Sequence, residues 1–489
     1  MASSDYLIFD FGAGSGRALL AQFNGCKAVF RELHRFENQP VKVAGTLYWD
    51  IFRLYSELTI GLQKAVKHSD NIISLGIDTW GVDGGFIDKN GKLIANPVNY
   101  RDEQRNGMLR HVASLISERK LFGLTGMFPY SISTLCLFYA LKNDGAPEMK
   151  CGRKFLMLPD LFNYFLTGAT YAEYSDASTT GLLNQTTGKW ESRIFKKLAL
   201  PQKIMPEIIP SGTRLGKIDQ AISAELNIPQ LAVVAAAGHD TASAVAGIPA
   251  TGAGKWAFLS LGTWAVFGVE RAQPLLNDSV FENGFWNAGG AEDNSFLVGS
   301  YTGLFIIQQC FDFWQREHRQ GVSWERIIAE CVKSPPFRAL IDVDDPRFAA
   351  FQPDMPRVVA DYCRGRGQKT PATVGEIARC CYESLVLKTK NVFQTYEKIL
   401  GEKFDVVHVV GGGVRNALLC QWMADALGVT VRAGPAEATV AGNFLVQLKA
   451  SGKISSIAEG RRLIADSVAI KEYTPKNSRN WDNASFLRI

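Results

Sequence analysis

Residues 6–23 read YLIFDFGAGSGRALLAQF. The run from Tyr6 to Phe11 is almost wholly apolar, which predicts a strand buried on both faces. The turn GAGSGR follows. A second short apolar run then ends at Asn24–Gly25, a pair typical of hairpin turns. The plan is strand, glycine turn, strand. A dinucleotide fold opens instead with strand, glycine turn, helix, and a Walker A loop needs GxxxxGK[ST], which is absent. Glycines at 12, 14 and 16 free the backbone to turn tightly and to aim N–H groups at phosphate oxygens. Ser15 adds a hydroxyl, Arg17 a positive charge, and Asp10 a carboxylate suited to Mg2+ beside phosphate. A plain tight hairpin accounts for the same residues, so both roles stay open here.

The same plan returns at KWAFLSLGTWAVFGVE, residues 255–270, with its turn at Gly262–Thr263. Two such turns suggest a duplicated domain and two clasps on a phosphate chain. A third glycine site, GGGVRN (Gly411 to Asn416), follows the apolar run FDVVHVV and precedes a helical pattern. Three consecutive glycines rarely serve packing and let a flat ligand lie close. In AGPAEATVAGN, Glu437 stands near a helix start, where the helix dipole favours a carboxylate, and Gly442 permits close backbone approach.

The remaining chemistry gathers at strand ends. Leu231 to Ala237 reads as a strand, followed by Gly238, His239, Asp240 and a helical start at Thr241. Asp240 is a candidate base for a hydroxyl that attacks phosphorus; as a bare residue it is equally a helix cap. In GIDTWGVD, Asp78, Trp80 and Asp83 either line a polyol pocket or serve as a core aromatic and turn caps. YRDEQR, from Tyr100 to Arg105, is a substrate wall or a solvated helix start. Further helices are expected over FRLYSELTIGLQKAVKH, over LFNYFLTG ending at Gly168, and around 301–316 and 374–400, with a hairpin at Asn90–Gly91. The tail from Thr474 to Ser485 reads as loosely ordered.

Bulk properties exclude several classes. The 489 residues carry a formal charge of +5, too small to argue for nucleic acid or an anionic membrane surface. Nine cysteines, an odd number without a CxxC pair, read as thiols of a reducing compartment. No apolar stretch reaches membrane-span length, and MASSDYLIFDFG enters a strand pattern without a leader, so a cytoplasmic protein is expected. His34, His68, His111, His318 and His408 are scattered, without the spacing of a zinc site. Length favours two or three domains, with a boundary in the small-residue stretch 247–255.

Taken in order, DFGAGSGR, GIDTWGVD, MLPDLFNYFLTG, AGHDTASAV, SLGTW, GGGVRN and GPAEATVAGN resemble the motif set of the FGGY-type carbohydrate kinases. These belong to the superfamily that includes hexokinase, actin and the large chaperone ATPases. The resemblance covers nearly the whole chain. It implies an α/β fold of two actin-like (ribonuclease H-like) domains, residues 1–247 and 248–489, with a cleft between them that closes over its ligands. It implies transfer of the γ-phosphate of ATP, with Mg2+, to a hydroxyl of a small sugar. The most similar members act on the 1-hydroxyl of a 6-deoxy-ketohexose.

By that match Asp240 is the catalytic base, with His239 and Thr241 beside it at the sugar. Gly81, Asp83 and Ser300 fall at sugar positions. Ala13, Gly14, Ser15, Gly16 and Arg17 form the first phosphate loop. Gly262, Thr263, Gln308, Gly412, Gly413 and Asn416 face the nucleotide, and Asp10 and Asp240 organise the metal. Two departures stand out: Ser300 occupies a position where the pattern has Asn, and Gly84–Gly85 replace bulkier residues. A monomer or homodimer is expected. The competing classes are a chaperone-like ATPase and a sugar- or nucleotide-binding regulator without turnover; the presence of Asp240 favours an enzyme.

Overall fold

The computed structural model describes residues 4–318 and 321–484. It divides into two compact units. One comprises Met1–Thr251, Glu270–Leu297 and Glu437–Val468; the other comprises Gly252–Val269, Val298–Ala436 and Ala469–Ile489.

In the first unit the strand Ser4–Phe11 is central, buried at every position after Ser4. Such a strand needs an unbroken apolar run, which YLIFDF supplies. It pairs antiparallel with Ser15–Phe23, which pairs antiparallel with Ala28–Glu37. On its other side lie parallel Ile72–Thr79, then parallel Ala232–Val234, then antiparallel Arg214–Lys217. The helix Ile51–His68 covers this sheet with Ile51, Leu54, Leu58, Leu62 and Ala65, one stripe at helical spacing. The Asp50 side chain caps its start by accepting the Arg53 N–H, and Lys67 and His68 sit in its last turn, where the dipole favours positive charge. The helix Leu158–Thr167 ends, as expected, at left-handed Gly168.

In the second unit Trp256–Leu261 is central. It pairs antiparallel with Trp264–Arg271 and parallel with Val406–Val410; Thr430–Ala433 follows parallel and Lys471–Tyr473 antiparallel. Over these five strands, order and direction repeat those of the first sheet, so the duplicated plan read from residues 6–23 and 255–270 is present in the topology. The long helix Val374–Leu400 begins at a reciprocal capping box between Thr373 and Glu376.

Several expectations change. The strand expected over 231–237 spans only Ala232–Val234, and residues 235–239 form the loop that carries the candidate base. The hairpin at Asn90–Gly91 is present, with Ile87 bridged antiparallel to Leu93, and its first arm, Gly84–Ile87, also pairs with Lys154–Met157. The tail is not loose: Ser478–Ala484 is helical and Trp481 is buried against Phe337 and Trp422. One buried indole supplies packing that a polar local composition hides; Ser485 lies outside the described residues. Two of the three consecutive glycines, Gly411 and Gly413, also have packing duties.

Candidate functional site

The first glycine turn is held by its own backbone. The Gly12 N–H donates to the Ser15 carbonyl at 2.9 Å, and the Asn38 N–H donates to the Gly14 carbonyl at 3.1 Å. A Cβ at Gly16 would strike the Phe36 ring at 2.2 Å, so that glycine serves packing, while Gly14 faces open space. Ala13 packs against the core and Ser15 is exposed. The hairpin register sets Asp10 opposite Arg17. Arg17 Nε and Nη2 both donate to Asp10 Oδ2, at 3.1 and 2.7 Å, and Arg17 also pairs with Glu437. Glu437 thus does more than cap a helix, and its side chain makes no cap bond. Burial raises the Asp10 carboxyl against the lowering effect of Arg17.

Asp78, on the adjacent parallel strand, stands in register with Asp10, so the two carboxylates project side by side. It is fully buried. Oδ2 accepts from Asn443 Nδ2 at 2.6 Å, and Oδ1 has no hydrogen-bond partner. Burial and the neighbouring Asp10 push its carboxyl well up.

The loop after Ala232–Val234 delivers Asp240. His239 is the N-cap residue and Asp240 opens the helix Asp240–Ala246. Asp240 is therefore not the cap; its carboxylate lies in the first helical turn, where the dipole favours negative charge. Burial lifts Asp240 to about 6, and burial lowers His239 to about 4, so the imidazole is neutral at pH 7. His239 Nε2 lies 3.6 Å from Asp240 Oδ1, and His239 Nδ1 is buried without a partner. Thr241 Oγ donates to Asp240 Oδ1 at 3.2 Å. Asp240 raises both the Asp10 and the Asp78 carboxyl, so the carboxylate at this helix start lies near the two at the strand ends.

Asp83 is tied into the interior by several partners. It is fully buried and saturated: Oδ1 pairs with Arg105 Nη2 at 2.6 Å, and Oδ2 accepts from Trp49 Nε1, Trp80 Nε1 and the Tyr100 N–H. These four donors fix the orientation of its carboxylate within the wall. Beside it, Val82 adopts a φ of +69°, rare for a β-branched residue. Its N–H donates to Thr179 Oγ1 at 2.9 Å and its carbonyl accepts from Thr134 Oγ1 at 2.8 Å. Gly81 is closed in by the same Thr179, 2.8 Å from where a Cβ would stand. Gly84 and Gly85 likewise leave room for Phe155, Leu93 and Leu161.

In the second unit the Gly262–Thr263 turn is fastened by the Gly303 N–H to the Thr263 carbonyl at 3.0 Å and the Leu304 N–H to the Gly262 carbonyl at 2.8 Å. Thr263 Oγ donates to Gln308 Oε1 at 3.2 Å, so Gly262, Thr263 and Gln308 come together. The three glycines divide their work. Gly411 turns at a φ of +81° over Leu261, and Gly413 would strike Leu261 Cδ2 at 2.5 Å, whereas Gly412 faces open space. Asn416 caps the helix Ala417–Leu427 through the Leu419 N–H at 3.1 Å. Ser300 is exposed on the strand Ser295–Thr302.

Among the described residues no three His, Cys, Asp or Glu side chains stand close enough to hold a metal ion by themselves. Asp10, with one oxygen on Arg17, and Asp78, with one oxygen orphaned, nevertheless fit a hard cation held largely by water and phosphate oxygens. No helix among the described residues is long and apolar enough to cross a membrane.

Comparison with known proteins shows the family. Residues 5–247 match the N-terminal domain, and residues 257–451 the C-terminal domain, of the FGGY family of carbohydrate kinases. Curated relatives include a rhamnulokinase of Bacteroides thetaiotaomicron, 34% identical with 98% of each chain covered. Another is a rhamnulokinase of Bacillus subtilis, 32% identical with 96% of each chain covered. Among solved structures, gluconate kinase from Lactobacillus acidophilus superposes with a TM-score of 0.81 at 14% identity, covering 99% of this chain and 97% of its own. Glycerol kinase of Plasmodium falciparum, solved with ADP, gives 0.76 at 15% identity over 98% and 96%. With both domain models matched along most of its length, and a two-unit α/β fold shared with solved sugar kinases, this chain belongs to the FGGY family of carbohydrate kinases.

Proposed function

We propose that the protein transfers the γ-phosphoryl group of ATP to the 1-hydroxyl of L-rhamnulose, giving L-rhamnulose 1-phosphate and ADP. The named activity of its relatives supports the substrate. The observation that carries the chemistry is Asp240: a carboxylate at a helix start, set at about 6 by burial, beside a neutral imidazole. A base poised just below neutral pH is ionised at pH 7 yet still takes a proton.

The sugar hydroxyl gives its proton to Asp240 as its oxygen bonds to the γ-phosphorus, and the bond from that phosphorus to the β,γ-bridging oxygen breaks to release ADP. Phosphoryl transfer asks chiefly for alignment and charge neutralisation. His239 and Thr241 hold the sugar and the base in one geometry. The backbone of the turn over residues 13–16, exposed at Gly14 and Ser15, and the Arg17 guanidinium receive phosphate oxygens. Gly262, Thr263, Gln308, Gly412 and the neighbouring Gly413 and Asn416 form the nucleotide surface of the second unit. Asp10 and Asp240, with Asp78 behind them, would hold Mg2+ through water; when bound, that ion neutralises phosphate charge. Substrate and product are small and soluble, consistent with a cytoplasmic enzyme.

Exposed Ser300, shorter than the amide expected at its position, makes L-fuculose the alternative sugar. Replacing Asp240 with Asn tests the mechanism. Turnover should fall at least ~100-fold, the usual scale of general-base loss, while ATP binding is retained. An Asp240→Asn protein that still phosphorylates sugar at the wild-type rate rules Asp240 out as base.

A further inference from the structure

Beneath the Asp240 loop lies a carboxylate that the reaction scheme does not use. Glu173, 1% exposed, closes the short strand Tyr171–Glu173. Its Oε2 accepts from the Gly238 N–H at 2.9 Å, from Ser175 Oγ at 2.5 Å and from the Asp176 N–H at 3.2 Å. Its Oε1 accepts from Ser211 Oγ at 2.6 Å. None of these four donors is a cation. Capping of the helix Tyr174–Ala177 accounts for only one of them, the Asp176 N–H.

The other contacts lead to the base. Ser175 Oγ, whose own proton goes to Glu173, accepts the His239 N–H at 3.2 Å. The successive N–H groups of Gly238 and His239, the two residues before Asp240, thus end on one frame. The Gly238 carbonyl is fixed from the other side by the Thr79 N–H at 2.8 Å. Gly238 can sit there only without a side chain: a Cβ would lie 2.9 Å from Pro159 Cγ and 3.1 Å from Glu173 Oε2. Glu173 is itself held, its own N–H donating to Asp160 Oδ1 and Oδ2 at 3.2 and 3.3 Å. Asp160 belongs to the MLPDLFNYFLTG stretch, which no sugar or nucleotide role had absorbed.

We propose that Glu173, with Ser175 relaying to His239, is a positioning residue for phosphoryl transfer: it fixes the backbone that aims Asp240 and touches neither substrate. This rests on Asp240 being the base. The geometry argues for hydrogen-bond direction rather than charge. Glutamine can reproduce it, with its carbonyl oxygen at the Oε2 position and its amide donating to Ser211. Methionine keeps the length and volume but accepts from neither Gly238 nor Ser175.

The test compares Glu173→Met and Glu173→Gln in the full-length protein with ATP and L-rhamnulose. Glu173→Met is expected to lower kcat by roughly 30–100-fold with KM for ATP within about twofold, as expected when a base is misaimed by about 1 Å. Glu173→Gln is expected to stay within about threefold of wild type. Hydrogen exchange of a peptide spanning residues 235–243 should quicken in Glu173→Met and not in Glu173→Gln. A Glu173→Met enzyme with unchanged kcat overturns the proposal. So does a Glu173→Gln enzyme as impaired as Glu173→Met, since charge rather than direction would then matter. If Glu173→Met does not fold, Ser175→Ala tests the same frame. It should quicken exchange of that peptide and lower kcat by roughly 3–10-fold, the worth of one hydrogen bond, and no change in either overturns the proposal. Asp240→Asn run alongside separates the two assignments: full activity there removes the base itself, whereas a dead Asp240→Asn beside a normal Glu173→Met removes only the role of Glu173.

Discussion

Gly442→Ala is a one-methyl change with a large expected effect. The helices Asp240–Ala246 and Ala438–Ala450 cross at Gly442 and Gly247. A Cβ on Gly442 would stand 1.7 Å from the Ser243 carbonyl oxygen and 2.9 Å from the Gly247 nitrogen. Carbon and carbonyl oxygen rest no closer than about 3.3 Å, so the helices must part by roughly 1.6 Å. Helix Ala438–Ala450 cannot easily yield. Gln447 Nε2 donates to the Leu7 carbonyl at 3.0 Å, and Asn443 Nδ2 to Asp78 Oδ2 at 2.6 Å, both on central strands. The displacement therefore falls on Asp240–Ala246 and carries the carboxylate of Asp240 with it. Overpacking of this kind costs about 1–3 kcal/mol, and backbone atoms in the way put this site at about 3 kcal/mol. A shift above 1 Å at the base should lower kcat roughly 10–100-fold. Urea denaturation reads the first effect and ADP release with saturating sugar and nucleotide reads the second. A Gly442→Ala protein with wild-type stability and wild-type kcat would refute the argument that this crossing sets the position of Asp240.

Further outcomes follow from the charges. With Asp240 at about 6, kcat/KM for the sugar should fall as pH drops through about 6 with a single-proton slope; a rate flat from pH 7 to 5 contradicts the assignment. The same raised carboxyl makes Asp240→Asn more stable than wild type. Between the ordinary value of 3.8 and about 6 the unfolded chain ionises first, so stability falls with rising pH. The gain from Asn should be complete above pH 6 and gone by pH 4 in thermal melts; a constant Tm difference across that range counts against it. Arg105→Met strands the buried Asp83 carboxylate and should destabilise the protein by about 3–5 kcal/mol in urea. Adding Asp83→Asn should recover part of that loss, and full additivity of the two changes would show that the pair does not interact.

What the sequence disclosed depended on the range of the interactions involved. Tyr6–Phe11 and its repeat at Trp256–Leu261 were legible because a doubly buried strand needs continuous apolar residues, and the glycine turns because few residues besides glycine turn so tightly. Asp240 was legible by its place between a strand and a helix. Asp78 was noted only as one carboxylate of GIDTWGVD, without its pairing, and Glu173 was not singled out. The partner of Asp78 is Asn443, 365 residues away, and Glu173 acts through Gly238, 65 residues on. No local pattern announces such a pairing. The partners of Asp83 were hidden for the same reason: Trp49, Trp80, Tyr100 and Arg105 converge on it only in the folded chain. That the glycines at 411 and 413 also pack on Leu261 shows only in the folded chain.

The most direct test of the central claim is ADP release by the purified protein with ATP and Mg2+ across L-rhamnulose, L-fuculose, L-xylulose and common polyols, with the phosphorylated carbon identified in the product. Strong turnover is expected with L-rhamnulose, with phosphate on carbon 1. Preference for another ketose would contradict the substrate assignment while leaving the base in place, and silence across the panel with ATP still bound would contradict the kinase reading itself.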